Sequence, residues 1–226
     1  MEEIMIYSKV RDIRNEFMFL HSRGKFNTRG MVELQGVSFI ADEDTIFGTV
    51  NNAYIDKEFE WYLSMSRNVY DMKNPPKIWK DIATPDGYIN SNYGYLVYHK
   101  DNNSQFQKVI RTLRRRPDSK QATMIYTRPE IHQQAFDGGR RDFICTNVVN
   151  YNQDSLNPDV INAIVQMRSC DAIFGYKNDL PWQQYVLNEV CAAVGKRPGI
   201  IIWQCSSLHI YPRHFDLINN LFTKSK

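Results

Sequence analysis

What most restricts the fold of this chain is a crowding of strand-like runs towards its C-terminal end. Residues 143–151, 161–168 and 199–203 are apolar or alternating segments of strand length. One long helical stretch separates the last two. It is expected to begin near Leu180-Pro181-Trp182, with proline in its first turn, and to end at Gly195. Further strands are expected at 122–127 and at 31–40, the latter with a glycine bulge at Gly36. Apolar groups at helical spacing mark 2–20, 55–64, 105–114 and 215–223, and Asn74-Pro75-Pro76 breaks the chain between them. There is no repeat, no low-complexity tract and no linker. One α+β domain spanning residues 1–226 is the expected architecture.

With 226 residues the chain can bury a sizeable core, and 42% hydrophobic with 23% charged residues is an ordinary globular balance. No apolar run reaches the length of about 18 residues that a membrane helix needs. The opening Met1–Tyr7 carries two acids and lacks the basic-then-apolar design of a signal, so a cytoplasmic protein is expected. A net charge of +3 is too small to imply nucleic acid as a partner, yet it suits a small phosphate-bearing substrate. The run Arg114-Arg115-Arg116 ends a helix, where cations complement the dipole. Cys145, Cys170, Cys191 and Cys205 are widely spaced, with no C-x-x-C pair and no Cys/His ligand spacing. Neither a metal site nor a disulfide framework is expected.

Three segments carry candidate chemistry: Asp142-Phe-Ile-Cys-Thr-Asn147, Gln166-Met-Arg-Ser-Cys-Asp-Ala-Ile-Phe-Gly-Tyr-Lys-Asn-Asp179 and Ser207-Leu-His-Ile-Tyr211. In order and spacing they resemble the catalytic-cysteine, R-S-x-D-x-x-x-G-x-x-x-N and D-x-H-x-Y segments of thymidylate synthases. Glu58-Phe-Glu-Trp61, Ile78-Trp79, Asn92-Tyr93-Gly94 and Pro117-Asp118-Ser119 extend the likeness over roughly residues 20–215. Phrases such as Ile89-Asn-Ser-Asn-Tyr-Gly94, Met124-Ile-Tyr-Thr-Arg-Pro129 and Cys145-Thr-Asn147 resemble one branch of that family, the bacteriophage deoxycytidylate hydroxymethylases.

The resemblance implies a mixed sheet packed with helices and paired with its twin in an obligate homodimer. It implies two substrates, a deoxynucleoside monophosphate (dCMP in that branch) and 5,10-methylenetetrahydrofolate. Cys145 is then the nucleophile that adds to C6 of the pyrimidine, since a thiolate both attacks well and departs easily. Arg168 and Ser169 hold the phosphate, and Arg168 also contacts the thiol; His209 and Tyr211 bind the sugar hydroxyl. Asp171 and Trp79 face the folate, and Glu58 organises water and proton transfer. Where the family takes two arginines from the partner subunit, this chain has Lys120-Gln121. That weakens the clamp and makes Arg114–Arg116 candidate substitutes; Lys25 is a further phosphate candidate.

Asp179 stands where synthases carry asparagine, four residues after Gly175. Cytosine presents a donor at N4 and an acceptor at N3, the reverse of uracil. A protonated carboxyl can serve both, so Asp179 argues for cytosine. Two features argue for water rather than hydride as the final nucleophile. After the His-x-Tyr block the sequence runs only from Pro212 to Lys226, without the folate-covering segment of synthases, and Asn147 is expected to help Glu58 hold water. The alternatives are a dUMP hydroxymethylase, a methylating synthase or, in another class, a non-catalytic nucleotide- or RNA-binding protein.

Overall fold

The structure is a computed structural model that describes residues 8–136 and 141–224. Its centre is one mixed sheet of seven strands: β1 (Ser8–Lys9), β2 (Val32–Ile40), β3 (Thr123–Ile125), β4 (Thr146–Gln153), β5 (Val160–Met167), β6 (Cys170–Asp171) and β7 (Arg197–Ile210). The order across the sheet is β1-β2-β7-β5-β4-β3, with β6 beside the end of β7. β7 runs antiparallel to β2 and parallel to β5 and β6.

Eight helices are described: α1 (Val10–Ser22), α2 (Asn52–Ser64), α3 (Lys77–Ile82), α4 (Tyr93–Tyr98), α5 (Gln105–Arg115), α6 (Glu130–Phe136), α7 (Gly175–Val194) and α8 (Phe215–Lys224). One sheet face is apolar. Alternate β5 residues Ile161, Ala163, Val165 and Met167 are buried, and with Tyr151 and Trp203 they meet α5 and α7 in a single core. The opposite face carries Gly36, Ser38, Asn147, Gln166, Gln204 and Ser206 around a shallow hollow.

Several expected boundaries move. α1 starts at Val10, and residues 2–7 of the expected first helix lie outside the described residues. α7 starts at Gly175, five residues before the expected Leu180, so Pro181 lies inside it. An interior proline forfeits a backbone hydrogen bond and commonly costs about 3 kcal/mol. Burial of Tyr176, Leu180, Trp182 and Val186 on the inward face offsets that cost. α7 ends as expected at Gly195, with φ of 69°. The short strand expected at 199–203 is instead the fourteen residues of β7, because pairing with β2 and β5 carries it through the polar Gln204-Cys-Ser-Ser207. Gly36 has φ of 66°, but the β2–β7 register is the same on both sides of it, so it kinks the strand without inserting a residue.

α4 approaches α2 closely through Gly94. A Cβ there would lie 1.7 Å from the Tyr62 carbonyl oxygen, so only glycine fits. Asn92 ties the same junction, donating from Nδ2 to the Trp61 and Ser66 carbonyls at 2.8 and 2.7 Å.

Candidate active site

Cys145 precedes β4, and Arg168 follows β5, the antiparallel partner of β4. Their register pairs Thr146 with Met167, so residues 145 and 168 face each other one step beyond. The Arg168 amide donates to the Cys145 carbonyl at 2.9 Å. Its guanidinium donates to the Ile144 carbonyl at 3.0 Å, to the Phe143 carbonyl, and to Cys145 Sγ at 3.5 Å. Burial pushes the Cys145 thiol up to about 11; Arg168 opposes the shift, and Asp179 and Asp142 add to it. The thiol is therefore protonated at neutral pH in this state.

Cys145 opens into a cleft of about 520 Å³. Glu58, Trp79, Asp171, Asp179, Arg168 and Tyr211 also line it, so seven of the expected site residues converge there. α2 delivers Glu58, buried among Ile55, Trp61 and Tyr62 on its inward face. Tyr54, one turn earlier, donates its hydroxyl to Glu58 at 2.5 Å, and the Trp79 indole donates to both Tyr54 Oη and Glu58 at 3.1 and 3.2 Å. Burial nevertheless pushes the Glu58 carboxyl up to about 7. Asp179, on α7, is pushed up to about 8 by burial and by the nearby Glu58, against a hydrogen bond from Tyr93. The cleft thus holds a carboxyl group that is mostly neutral at pH 7.

Asp142 also lines the cleft. It accepts from the amides of Asn90 and Ser91 at 2.6 and 2.7 Å and from Ser91 Oγ at 2.6 Å, anchoring the segment before Cys145. Arg213 and His214 lie in the cleft wall, Arg213 4.1 Å from the Tyr211 ring centroid.

A second, open hollow lies beyond Tyr211. Ser169, His209, Glu33, Ser207 and Arg29 line it. β6 and β7 run side by side there with Asp171 opposite His209, and Glu33 on β2 faces His209 from the other side. The two hollows therefore share a wall, with Tyr211 in both.

Sequence reasoning and structure part at several positions. Lys25 is exposed and lines neither hollow, whereas Arg29, unremarked in the sequence, lines the second; Lys120, whose expected place is the partner subunit's site, is exposed. The amide of Asn27 turns the chain at 27–31, and Arg29, itself exposed, lies in that turn at the edge of the hollow. Arg114 donates to the Ala193 carbonyl, and Arg114–Arg116 line neither hollow. Asn147 lies on the opposite sheet face, away from Glu58, because the β4–β5 register shifts between Thr146 and Val148. Tyr54 and Asp142 were missed as well. Tyr54 had a signal in its spacing of four from Glu58 on a helix.

Residues 46–226 match the family model described as thymidylate synthase. The chain belongs to the thymidylate synthase family. It is accordingly an enzyme of folate-dependent one-carbon transfer. Within this thymidylate synthase family it is 42% identical over 197 residues to the deoxycytidylate 5-hydroxymethyltransferase of Enterobacteria phage T4, covering 84% of this chain and 79% of that one. The protein of the same name from phage T2 matches equally. The thymidylate synthase of Fusobacterium nucleatum subsp. nucleatum is 30% identical over 166 residues, 71% of this chain and 57% of that one. No helix among the described residues is long and apolar enough to cross a membrane, and no group of three or more His, Cys, Asp or Glu among them is placed to hold a metal.

Proposed function

We propose that the enzyme is a deoxycytidylate 5-hydroxymethyltransferase, converting dCMP, 5,10-methylenetetrahydrofolate and water into 5-hydroxymethyl-dCMP and tetrahydrofolate. The observation that carries this reading is the Asp179 carboxyl, buried in the cleft and pushed up to about 8. A neutral carboxylic acid donates to cytosine N3 and accepts from the N4 amino group. Uracil, with a donor at N3 and an acceptor at O4, reverses this edge and requires the carboxyl to present its two oxygens the other way round. The 42% identity to phage enzymes of this name agrees.

Cys145 gives up its thiol proton to water in the cleft and adds as a thiolate, beside Arg168, to C6, which makes C5 nucleophilic. The apolar side chains of Ile78, Trp79 and Phe174, which line the cleft, suit a folate ring, whose one-carbon unit C5 attacks. Loss of the C5 proton then expels tetrahydrofolate from that carbon, and the exocyclic methylene so formed is open to attack. Glu58, poised near 7, accepts the proton of a water adding to it, and the Cys145 sulfur departs from C6. Arg168, Ser169, His209 and Tyr211 seat the phosphate and sugar. The polar sheet face around Asn147, Gln166 and Gln204 suits a twin subunit in a homodimer, which would bring Lys120 to the neighbouring site. The enzyme works in a cytoplasm, that of the host if the source is viral.

A second reading, a methylating synthase, draws on the bacterial relative. Mass spectrometry of the products from dCMP and from dUMP decides between them. Hydroxymethylated dCMP with tetrahydrofolate is expected; methylated dUMP with dihydrofolate would establish the second reading.

A further inference from the structure

The open hollow contains a carboxylate that none of the chemistry above uses. Glu33 lies on β2 directly across from His209 on β7. It accepts from Ser207 Oγ through one oxygen and from Asn27 Nδ2 at 2.9 Å through the other. Each donor leads to a different part of the hollow. The Asn27 amide oxygen accepts from the backbone N–H of Arg29 and of Met31 at 2.9 and 3.1 Å. It thereby shapes the tight turn that places Arg29 on the wall of the hollow, with Gly30 at φ of 74°. On the other side, Ser207 Oγ is 3.4 Å from His209 Nδ1, and the Ser207 carbonyl is 3.3 Å from the same nitrogen.

Proton counting links these contacts. Ser207 has one hydroxyl proton, and Glu33 takes it. Towards His209 the serine oxygen can then only accept, as can its carbonyl. The Nδ1 of a neutral His209 must carry the hydrogen, which leaves Nε2 as a bare acceptor for a substrate hydroxyl. Glu33 is itself kept ionised: the bonds from Ser207 and then Asn27 hold its carboxyl below the usual range.

We propose that Glu33 is a positioning residue for the nucleotide, fixing the His209 tautomer through Ser207 and the Arg29 turn through Asn27, so that the sugar and phosphate seats are set together. This rests on the nucleotide reading above.

Glu33→Gln keeps the size and loses the second acceptor. Its amide group must face either the Asn27 amide, donor against donor, or Ser207, which would then have to donate to His209. The KM for dCMP is expected to rise about tenfold or more, with kcat little changed. The double variant Asn27→Asp with Glu33→Gln moves the charge across the same hydrogen bond. The residue at 33 then donates to the carboxylate at 27, which still accepts from the Arg29 and Met31 amides, and Ser207 still donates to residue 33. KM should return towards the wild-type value, a rescue that a merely structural role does not give. The ¹⁵N shifts of His209 in the nucleotide-free protein should report the Nδ1–H tautomer in the wild type and lose it in Glu33→Gln. An unchanged KM and tautomer in Glu33→Gln, or a double variant worse than the single, would overturn the proposal. If the wild type fails to bind dCMP, the nucleotide reading falls, and the tautomer measurement still decides the role of Glu33.

Discussion

The two hollows that share Tyr211 are built by opposite means. The cleft is walled by side chains from α2, α3 and α7, and burial sets its chemistry: Glu58 at about 7, Asp179 at about 8 and Cys145 at about 11 are all pushed towards their neutral forms. The second hollow is open, assembled from a turn and strand ends, and its carboxylate is pushed the other way, held ionised by hydrogen bonds. A carboxyl group that donates a hydrogen bond to a neutral base near pH 7 must keep the proton it would lose in water, and a desolvated site supplies that shift. A charged phosphate calls for ionised donors, which an exposed site holds without a desolvation penalty.

The sharpest break in this comparison is Cys145→Ser. Turnover should fall by several powers of ten while dCMP binding, measured by calorimetry, persists, because the residues that seat the phosphate and sugar are left in place. Activity within tenfold of wild type would end the covalent mechanism.

Next is Asp179→Asn. An amide has no acidic proton to pass to cytosine N3, and the ratio of kcat/KM for dCMP over dUMP should drop roughly tenfold to a hundredfold, on a mismatch of about 1–3 kcal/mol. An unchanged ratio would mean that Asp179 does not read the base.

In the open hollow, Arg29→Ala should raise the KM for dCMP with little effect on kcat, and Lys25→Ala should leave both nearly unchanged, since only Arg29 lines the hollow. Equal effects would return Lys25 to the phosphate seat.

A smaller effect is expected for Tyr54→Phe. The Tyr54 hydroxyl lowers the Glu58 carboxyl against burial, so its removal should leave Glu58 higher still. If Glu58 acts as a base, the acidic limb of the kcat–pH profile should move to higher pH, with the KM for dCMP unaffected. The same carboxyls link to folding. A group that binds its proton more tightly when folded makes stability fall as pH rises from its unfolded value towards its folded one. For Glu58 and Asp179 the window is about pH 4 to 8. Melting curves of Asp179→Asn should decline less steeply across that window than those of wild type.

The cleft was more legible in the sequence than the hollow, for the same physical reason. Cys145, Arg168 and Asp179 lie in blocks whose residue types are fixed by the chemistry, and their spacing survives in linear order. Glu33 acquires its role only through pairing with His209 across 176 positions of sequence, a register that no periodicity reveals. Arg29 lines the hollow from the turn that Asn27 holds, and its neighbour Lys25 is equally basic on paper. Elements were visible where the apolar pattern was clean, as in β5 and α5. They were misjudged where tertiary contacts override local signals, as in the polar half of β7 and at Pro181 of α7. Asn147 shows the same limit: the register shift in β4 sends it to the other face.

The most direct test of the account is turnover of dCMP with 5,10-methylenetetrahydrofolate in water enriched in ¹⁸O. If water captures the exocyclic methylene beside Glu58, the hydroxymethyl oxygen of the dCMP product carries the label, and tetrahydrofolate forms in equal amount. An unlabelled methylated product with stoichiometric dihydrofolate would contradict the account and make the enzyme a methylating synthase.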